Sequence, residues 1–159
     1  MIGKELNDEM NKQIAEELQS AYIYMGMGAW AEVQGLKNFA SFMKTHAEKE
    51  EYKHAMKFFS YIIEAGGKVE LGALGKVSTD WADVETVLKE AIKHEKHISA
   101  RIKLLWDLAH EKNEVYAYEM LTWFLKEQME EENLFENLLI QFDLGGKKLG
   151  IWDHHVKHP

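Results

Sequence analysis

The chain has 159 residues, which favours a single domain, and 46% of them are hydrophobic, which is ordinary for a folded protein. Its 27 acidic residues exceed its 19 basic residues and give a formal net charge of −8, which argues against nucleic acid as a partner. The chain contains no cysteine. Disulfides, cysteine nucleophiles and thiolate metal sites are therefore excluded, and any metal must be bound by oxygen and imidazole.

No targeting or membrane segment is visible in the sequence. The opening residues, MIGKELNDEM, lack the apolar core of a signal peptide. The longest apolar stretch, residues 21–31, is well short of the ~20 residues that span a bilayer. We therefore expect a cytoplasmic protein with no membrane partner.

The distribution of proline and glycine predicts four long helices. The only proline is at position 159, and proline would break helix interiors. The first helix is expected over about 4–34 and the second over about 36–65. Ser78, Thr79 and Asp80 are N-cap candidates for a third helix that reaches about residue 111. Asn113 is expected to open the fourth helix, which reaches about residue 144.

The lengths of the helices and of their connections predict how they pack. A helix of about 30 residues measures ~45 Å, so such helices pack lengthwise as a bundle. Short joins at 35 and 112 predict two antiparallel hairpins, whereas residues 66–80 are numerous enough to cross the bundle. The expected fold is an all-α four-helix bundle with one long crossover connection, over residues 1–145. Residues 146–159 are expected to form a short C-terminal segment or fifth helix.

Polar residues interrupt the apolar seam near the middle of each helix. A single buried glutamate is usually a satisfied core residue or a solvated edge. Four interruptions at similar height are different, because packed carboxylates without cations would cost several kcal/mol each. The pattern therefore predicts a metal centre. The interrupting residues are Glu17 in the first helix, Glu51 and His54 in the second, Glu95 in the third, and Gln128 and Glu131 in the fourth.

The spacing of these residues narrows the choice of metal. Glu51 and His54 lie three residues apart on one helix face, and Gln128 and Glu131 repeat that spacing. Single glutamates from two helices, combined with such pairs from the other two, are typical of di-iron carboxylate proteins. Oxygen donors with one nitrogen suit iron, manganese or zinc. The neighbouring residues Glu50, Glu127 and Glu130 either hold a third ion or form a solvated face.

The sequence resembles the non-heme ferritins of the bacterial and archaeal type over roughly its first 145 residues. The resemblance implies a ferritin-like fold and a ferroxidase that oxidises Fe(II) with dioxygen or peroxide. It also implies storage of ferric oxide in a homo-oligomeric shell, with a 24-subunit cage favoured. The motifs that carry it are residues 17–24 (ELQSAYIY), residues 46–54, Lys93-His94-Glu95, and residues 125–132 (LKEQMEEE).

The resemblance also implies a role for each candidate residue. Glu17, Glu51 and His54 resemble the ligands of the first iron, with Glu51 bridging to the second. Glu95 and Glu131 resemble ligands of the second iron, with Gln128 close by. Glu50, Glu127 and Glu130 resemble, together with Glu131, a third iron site. Tyr24 resembles the tyrosine beside the centre that hydrogen-bonds a ligand or gives up an electron, although an ordinary core tyrosine would fit the same position.

Other di-iron proteins fit less well. Bacterioferritin and rubrerythrin place a second histidine at the position where this chain has Glu131. Separately, we expect the protein to bind no heme. Two alternatives remain open: a di-iron peroxidase or oxidase that stores no mineral, and a helical bundle that only oligomerises.

The sequence departs from the family pattern in two places. One extra residue near Lys49 would be absorbed by a π-bulge or by a straighter helix. The tail, residues 147–159, is shorter than the usual fifth helix. Its three histidines (His154, His155 and His158) could hold a peripheral metal, although anchoring of the tail by Ile151 and Trp152 is the simpler interpretation.

Overall fold

The computed structural model describes all 159 residues and contains helices and no strands, as expected. The first helix, α1, spans Lys4–Val33. The second, α2, begins as an α-helix over Lys37–His46, continues as a π-helix over Ala47–Glu51 and ends as an α-helix over Tyr52–Glu64. The remaining helices are α3 (Val84–Glu111), α4 (Val115–Leu144) and the short α5 (Leu149–His155). None of them combines the length and apolar character needed to cross a bilayer.

The long helices form two antiparallel hairpins. Gly35, with φ of 79°, turns the chain between α1 and α2. Within this hairpin Gly28 allows a close approach, because a Cβ atom there would lie 3.3 Å from the carbonyl oxygen of Ala40. Asn113 turns the chain between α3 and α4 with a left-handed φ of 56°, so α4 begins at Val115 rather than at Asn113.

The predicted start of α3 at Ser78, Thr79 or Asp80 is wrong. The N-cap is Asp83, whose Oδ1 accepts a hydrogen bond of 2.7 Å from the backbone N–H of Thr86. Ser78 instead donates its hydroxyl to the carbonyl of Asp80 at 2.9 Å, which stabilises a turn before the helix.

The connection between the hairpins runs along α1 and crosses the bundle. Side-chain amides of α1 hold its backbone, with Asn11 bonded to Lys68 and Glu70 at 2.8 and 2.7 Å. Further along, Gln19 both donates to and accepts from Gly75, at 3.1 and 2.7 Å. The connection therefore places the start of α3 at the opposite end of the bundle from the end of α2, and the predicted crossover is confirmed.

The apolar interior is divided into two clusters. The Phe135 cluster contains 20 buried residues, among them Tyr24, Ala47, Ala91 and Phe135. The Phe124 cluster contains 14 buried residues, among them Ile14, Ala55, Ile98 and Phe124. On each of the four long helices, the polar residues that interrupt the seam lie between a member of one cluster and a member of the other. The predicted polar layer is thus present in the middle of the bundle.

The extra residue in α2 is accommodated by a π-turn. The backbone N–H of Tyr52 donates to the carbonyl of Ala47, five residues earlier, rather than four. Such a turn takes up one residue more than an α-turn, so side chains five positions apart face the same side. His46 and Glu51 consequently both point into the centre of the bundle, where both are buried.

The tail folds back onto α2 and α4. Trp152 is buried against Phe39 and Phe142, and its indole N–H donates to the carbonyl of Leu138 at 3.1 Å. Ile151 is 58% exposed, so the anchoring role predicted for it is wrong. Adjacent side chains on a helix point about 100° apart, and here Trp152 faces the bundle whereas Ile151 faces solvent.

Candidate metal centre

The structure brings six predicted ligands together in the buried layer between the two clusters. Each is 6% exposed or less. The other predicted residues of the site differ in burial. Tyr24 is fully buried, Glu50 and Glu127 are half-buried, and Glu130 is exposed. The six buried residues are Glu17 from α1, Glu51 and His54 from α2, Glu95 from α3, and Gln128 and Glu131 from α4.

The first group of donors joins α1 and α2. One donor atom from each of Glu17, Glu51 and His54 lies within 4.8 Å of the others. Nδ1 of His54 is 3.8 Å from Oε2 of Glu17 and 3.8 Å from Oε2 of Glu51. These separations leave room for one cation between a nitrogen and two carboxylate oxygens.

The second group joins α2 and α4 and includes a residue that the sequence analysis did not select. His46, Glu51 and Glu131 offer donor atoms within 4.8 Å of one another. Nε2 of His46 is 3.2 Å from Oε1 of Glu51 and 2.9 Å from Oε2 of Glu131. Glu51 therefore faces the first group with one oxygen and the second with the other, as a bridging carboxylate would.

Glu95 stands beside the second group and is held by two hydrogen bonds. The hydroxyl of Tyr24 donates to Oε1 of Glu95. The amide of Gln128 donates to Oε2 of Glu95 at 3.0 Å. Burial and the charges of nearby carboxylates raise the pKa of Glu95 well above its usual range. Burial, with the charge of Glu95, likewise raises the pKa of Tyr24, so the phenol keeps its proton.

A third group lies on the other side of His54. Glu50, His54, Glu127 and Glu131 offer donor atoms within 4.8 Å of one another, and Nε2 of His54 is 3.5 Å from Oε2 of Glu127. Glu130 is not part of this close group, but its side chain lines the adjoining cavity. Of the four residues predicted for a third ion, three are thus close together and one stands at the edge.

Hydrogen bonding within the protein leaves this centre unsatisfied. The chain has seven buried side-chain polar atoms without a hydrogen-bond partner, and six of them belong to the centre. A buried polar atom without a well-formed hydrogen bond costs about 1–3 kcal/mol, and bound cations would remove this cost. The six atoms are Oε2 of Glu17, Nε2 of His46, Oε1 of Glu51, both ring nitrogens of His54, and Oε2 of Glu131.

The proton equilibria reflect the same crowding of charge. Burial, reinforced by the charge of Glu51, raises the pKa of Glu17 to about 8. Burial opposes ionisation of Glu51 as well, but the imidazoles of His46 and His54 lower its pKa to about 2. The pKa of His54 rises to about 9, because the contact with Glu51 outweighs the effect of burial. Without metal, protons therefore take up part of the negative charge.

A chain of two hydrogen bonds, from Arg101 to Gln13 and from Gln13 to Glu17, which we call the relay, orients the carboxylate of Glu17. Gln13, which is fully buried, donates its amide to Oε1 of Glu17 at 2.8 Å. The amide oxygen of Gln13 accepts from Nε of Arg101 at 3.4 Å. Because a guanidinium can only donate, Arg101 fixes the orientation of the amide and turns its NH2 group towards Glu17. Gln13 lies in the seam of α1, four residues before Glu17, and that spacing is the signal that could have identified it.

Comparisons with known proteins give a consistent result. Residues 7–144 match the family model described as Ferritin-like domain. The chain is 33% identical over 146 residues to a probable bacterial non-heme ferritin-like protein of Haemophilus influenzae, with 92% of this chain and 86% of that protein covered. It is 28% identical over 147 residues to a bacterial non-heme ferritin of Escherichia coli, with 92% and 88% covered. Among solved structures, an open pore ferritin from the hyperthermophilic archaeon Archaeoglobus fulgidus superposes with a TM-score of 0.95 at 30% identity, with 98% of both chains covered.

Proposed function

Because the chain belongs to the ferritin-like domain family, we propose that it is an iron-storage protein with ferroxidase activity. In this proposal, the buried layer binds two Fe(II) ions as substrate and oxidises them with dioxygen or peroxide. The ferric product is stored as oxide inside an oligomeric shell of identical subunits.

The observation that carries the proposal is the set of six buried donor atoms without hydrogen-bond partners, drawn from three of the four long helices. A helical bundle that only oligomerises would gain nothing from such atoms, since each destabilises the fold. Cations satisfy all six together and also neutralise the carboxylates. The donors are oxygen and imidazole, which suit Fe(II) and do not suit Cu(I).

The arrangement assigns a role to each ligand. We propose that Glu17, Glu51 and His54 bind the first Fe(II). Glu51 and Glu131 are proposed to bind the second, joined by Glu95, whose buried carboxyl feels the charges of both. His46, the third member of the close group with Glu51 and Glu131, contacts both carboxylates. Glu51, which faces both groups, holds the two ions close enough to react with one oxidant molecule. Each Fe(II) loses one electron, and dioxygen takes up the two electrons and two protons to give hydrogen peroxide. With peroxide as oxidant, two electrons and two protons yield water.

Two further residues adjust this chemistry. Gln128 donates its amide to Glu95, so its proposed role is to orient that carboxylate rather than to bind metal directly. Tyr24 donates its hydroxyl to the same carboxylate and packs against Phe135, with ring centroids 5.3 Å apart. A buried phenol in contact with a metal ligand is placed to give up an electron and a proton together. We propose that role for Tyr24.

A third ion completes the proposed route to storage. Glu50, Glu127 and Glu131 approach one another beside His54, and Glu130 adds a carboxylate at the exposed edge. The carboxylates on this side become more exposed from Glu131, which is buried, through Glu50 and Glu127 to Glu130. Such a gradient is expected of a path on which ferric ions leave the centre. We propose that a cytoplasmic homo-oligomer, most simply a 24-subunit cage, receives them. The similarity to the archaeal open pore ferritin supports oligomeric assembly.

One experiment separates this proposal from the alternatives. Fe(II) is added without oxygen, oxygen is then admitted, and the iron that stays with the protein is measured after gel filtration. If the protein retains many more ferric ions than the two or three that the centre can bind, storage is supported. Rapid oxidation with little retained iron would indicate an oxidase or peroxidase, and no Fe(II) binding would indicate a structural bundle.

Variants test the assignment of the ligands. Glu95→Ala and His54→Ala are expected to abolish rapid oxidation. Glu119→Ala, which removes an exposed glutamate from α4, is the matched control and should leave it unchanged. If the first two variants oxidise Fe(II) at the rate of the control, the assignment is wrong.

A further inference from the structure

The end of the tail lies beside the metal centre. A cavity of about 250 Å³ lies at the edge of the third group of donors, and His158 and Pro159 of the tail form part of its wall. Its wall consists of one apolar and several ionisable side chains, so it is built for a charged occupant rather than for an apolar one. The ionisable residues are His46, Glu50, Glu127, Glu130, Glu131 and His158.

The tail is fixed in this position by several contacts with α2. Asp153 accepts a hydrogen bond of 2.8 Å from the backbone N–H of Phe39 and thereby caps the start of α2. Val156 is buried in the Phe135 cluster, and the ring of His158 lies 5.2 Å from that of Phe42. His158 is therefore held against the bundle, whereas His155 of the same tail is exposed.

The contact between His158 and His46 has the geometry of two ligands of one ion. Nε2 of His158 lies 3.1 Å from Nδ1 of His46. Imidazole nitrogens bind such metals at about 2.0–2.1 Å, so two of them on one tetrahedral or octahedral ion lie about 2.9–3.4 Å apart. The ring of His46 lies parallel to that of Phe42, with centroids 5.9 Å apart and an interplanar angle of 3°. Its other nitrogen, Nε2, is buried and faces Oε2 of Glu131 at 2.9 Å, which leaves Nδ1 to face His158.

We propose that His158 and His46 bind a divalent transition-metal ion at this cavity, together with a carboxylate of its wall. The tail thus carries a ligand into a site that the four long helices leave incomplete. Two imidazoles select an ion such as Fe(II), Co(II) or Zn(II) over Mg²⁺ or Ca²⁺. The inference rests on the proposed function only in identifying Fe(II) as the natural occupant, on its way between the centre and the cavity.

A simple hydrogen bond between two neutral imidazoles would give a similar separation, and the test must distinguish the two. His158→Asn retains an amide that can donate to His46 but is a poor ligand for these metals. His158→Ala removes both possibilities. His155→Ala removes an exposed histidine three residues earlier and is the matched control.

The full-length protein is titrated with Co(II), which is followed by visible absorption and by the paramagnetically shifted N–H signals of bound imidazoles. We expect His158→Ala and His158→Asn to weaken one class of Co(II) by about 10- to 100-fold and to remove one shifted imidazole signal. His155→Ala should match the unchanged protein. If His158→Asn binds Co(II) as tightly as the unchanged protein and keeps every shifted signal, the contact is only a hydrogen bond and the inference is overturned.

The outcome is separable from that of the proposed function. Loss of one Co(II) class in both His158 variants, in a protein that does not oxidise Fe(II), would support this site and refute the ferroxidase. Rapid oxidation of Fe(II), combined with unchanged Co(II) binding in both variants, would support the ferroxidase and refute this site.

Discussion

Replacement of Gln13 by leucine tests whether the relay behind Glu17 contributes to metal binding. Gln13 has no donor atom in any of the three close groups, and both its own side chain and that of Glu17 are fully buried. Leucine has a similar volume, so the packing of α1 should survive. What disappears is the 2.8 Å hydrogen bond to Oε1 of Glu17 and the acceptor of Arg101.

The size of the effect follows from the charge of the acceptor. A hydrogen bond to a charged group contributes about 1.5–3 kcal/mol. In the metal-free protein Glu17 is largely protonated at pH 7, because its pKa is about 8, and a hydrogen bond to a neutral carboxyl contributes only about 1 kcal/mol. The hydrogen bond is therefore stronger by about 1 kcal/mol when the ion is bound, and its loss should raise the dissociation constant of that ion about 5- to 10-fold, since 1.36 kcal/mol corresponds to tenfold. The carboxylate also loses the group that fixes its orientation, which acts in the same direction.

Isothermal titration with Co(II) measures this change, and Gln19→Leu is the matched control. Gln19 lies on the same helix and makes two hydrogen bonds to Gly75, but it does not contact the centre. Gln19→Leu therefore shows how the loss of a side-chain amide from α1 affects stability without a change at the centre. Unchanged affinity in Gln13→Leu, or an equal loss in Gln19→Leu, would refute the reasoning.

Three further predictions concern stability. Asp83→Ala should lower the free energy of unfolding by about 1 kcal/mol in urea denaturation, whereas Thr79→Ala should leave it unchanged, because Asp83 and not Thr79 caps α3. Phe58→Ala should lower it by about 3–5 kcal/mol, since the ring is fully buried in the Phe124 cluster; a loss below 1 kcal/mol would contradict that packing. The third prediction concerns the dependence of stability on pH. In the folded protein the pKa of Glu17 is raised from 4.5 to about 8, and that of His54 from 6.5 to about 9. The metal-free folded protein thus binds more protons than the unfolded chain in this range, so thermal unfolding should shift to lower temperature as the pH rises from 5 towards 9, and a flat or rising profile would count against it.

The helices and their buried faces were largely predictable from the sequence. Residues repeating at steps of three and four along α3 and α4 are buried as the periodicity predicts, from Val84 to Leu105 and from Ala117 to Phe142. The polar interruptions were visible for the same reason, because one glutamate in an otherwise apolar seam is easily recognised. Local signals decide such features, and a single sequence contains them.

Features that depend on tertiary contacts were less accessible. His46 lies five residues before Glu51, a spacing that faces away in an α-helix and faces inward only because of the π-turn. The choice of Trp152 over Ile151 as the anchor depends on the space left between Phe39 and Phe142. The N-cap of α3 is Asp83, which accepts from Thr86, rather than any of the candidates before it, and Asn113 turns the chain instead of opening α4 because its φ is positive. The sequence indicates the candidates but not the outcome.

The division of the bundle into two hairpins has a mechanical consequence. Glu17, Glu51 and His54 belong to the first hairpin, whereas Glu95 and Glu131 belong to the second, and residues 65–83 are the only covalent link between the halves. In the proposed function, an ion shared by Glu51 and Glu131 would join the two hairpins in addition to this link. Its binding free energy would oppose their separation by mass action, so the metal-bound bundle should resist unfolding more than the metal-free one.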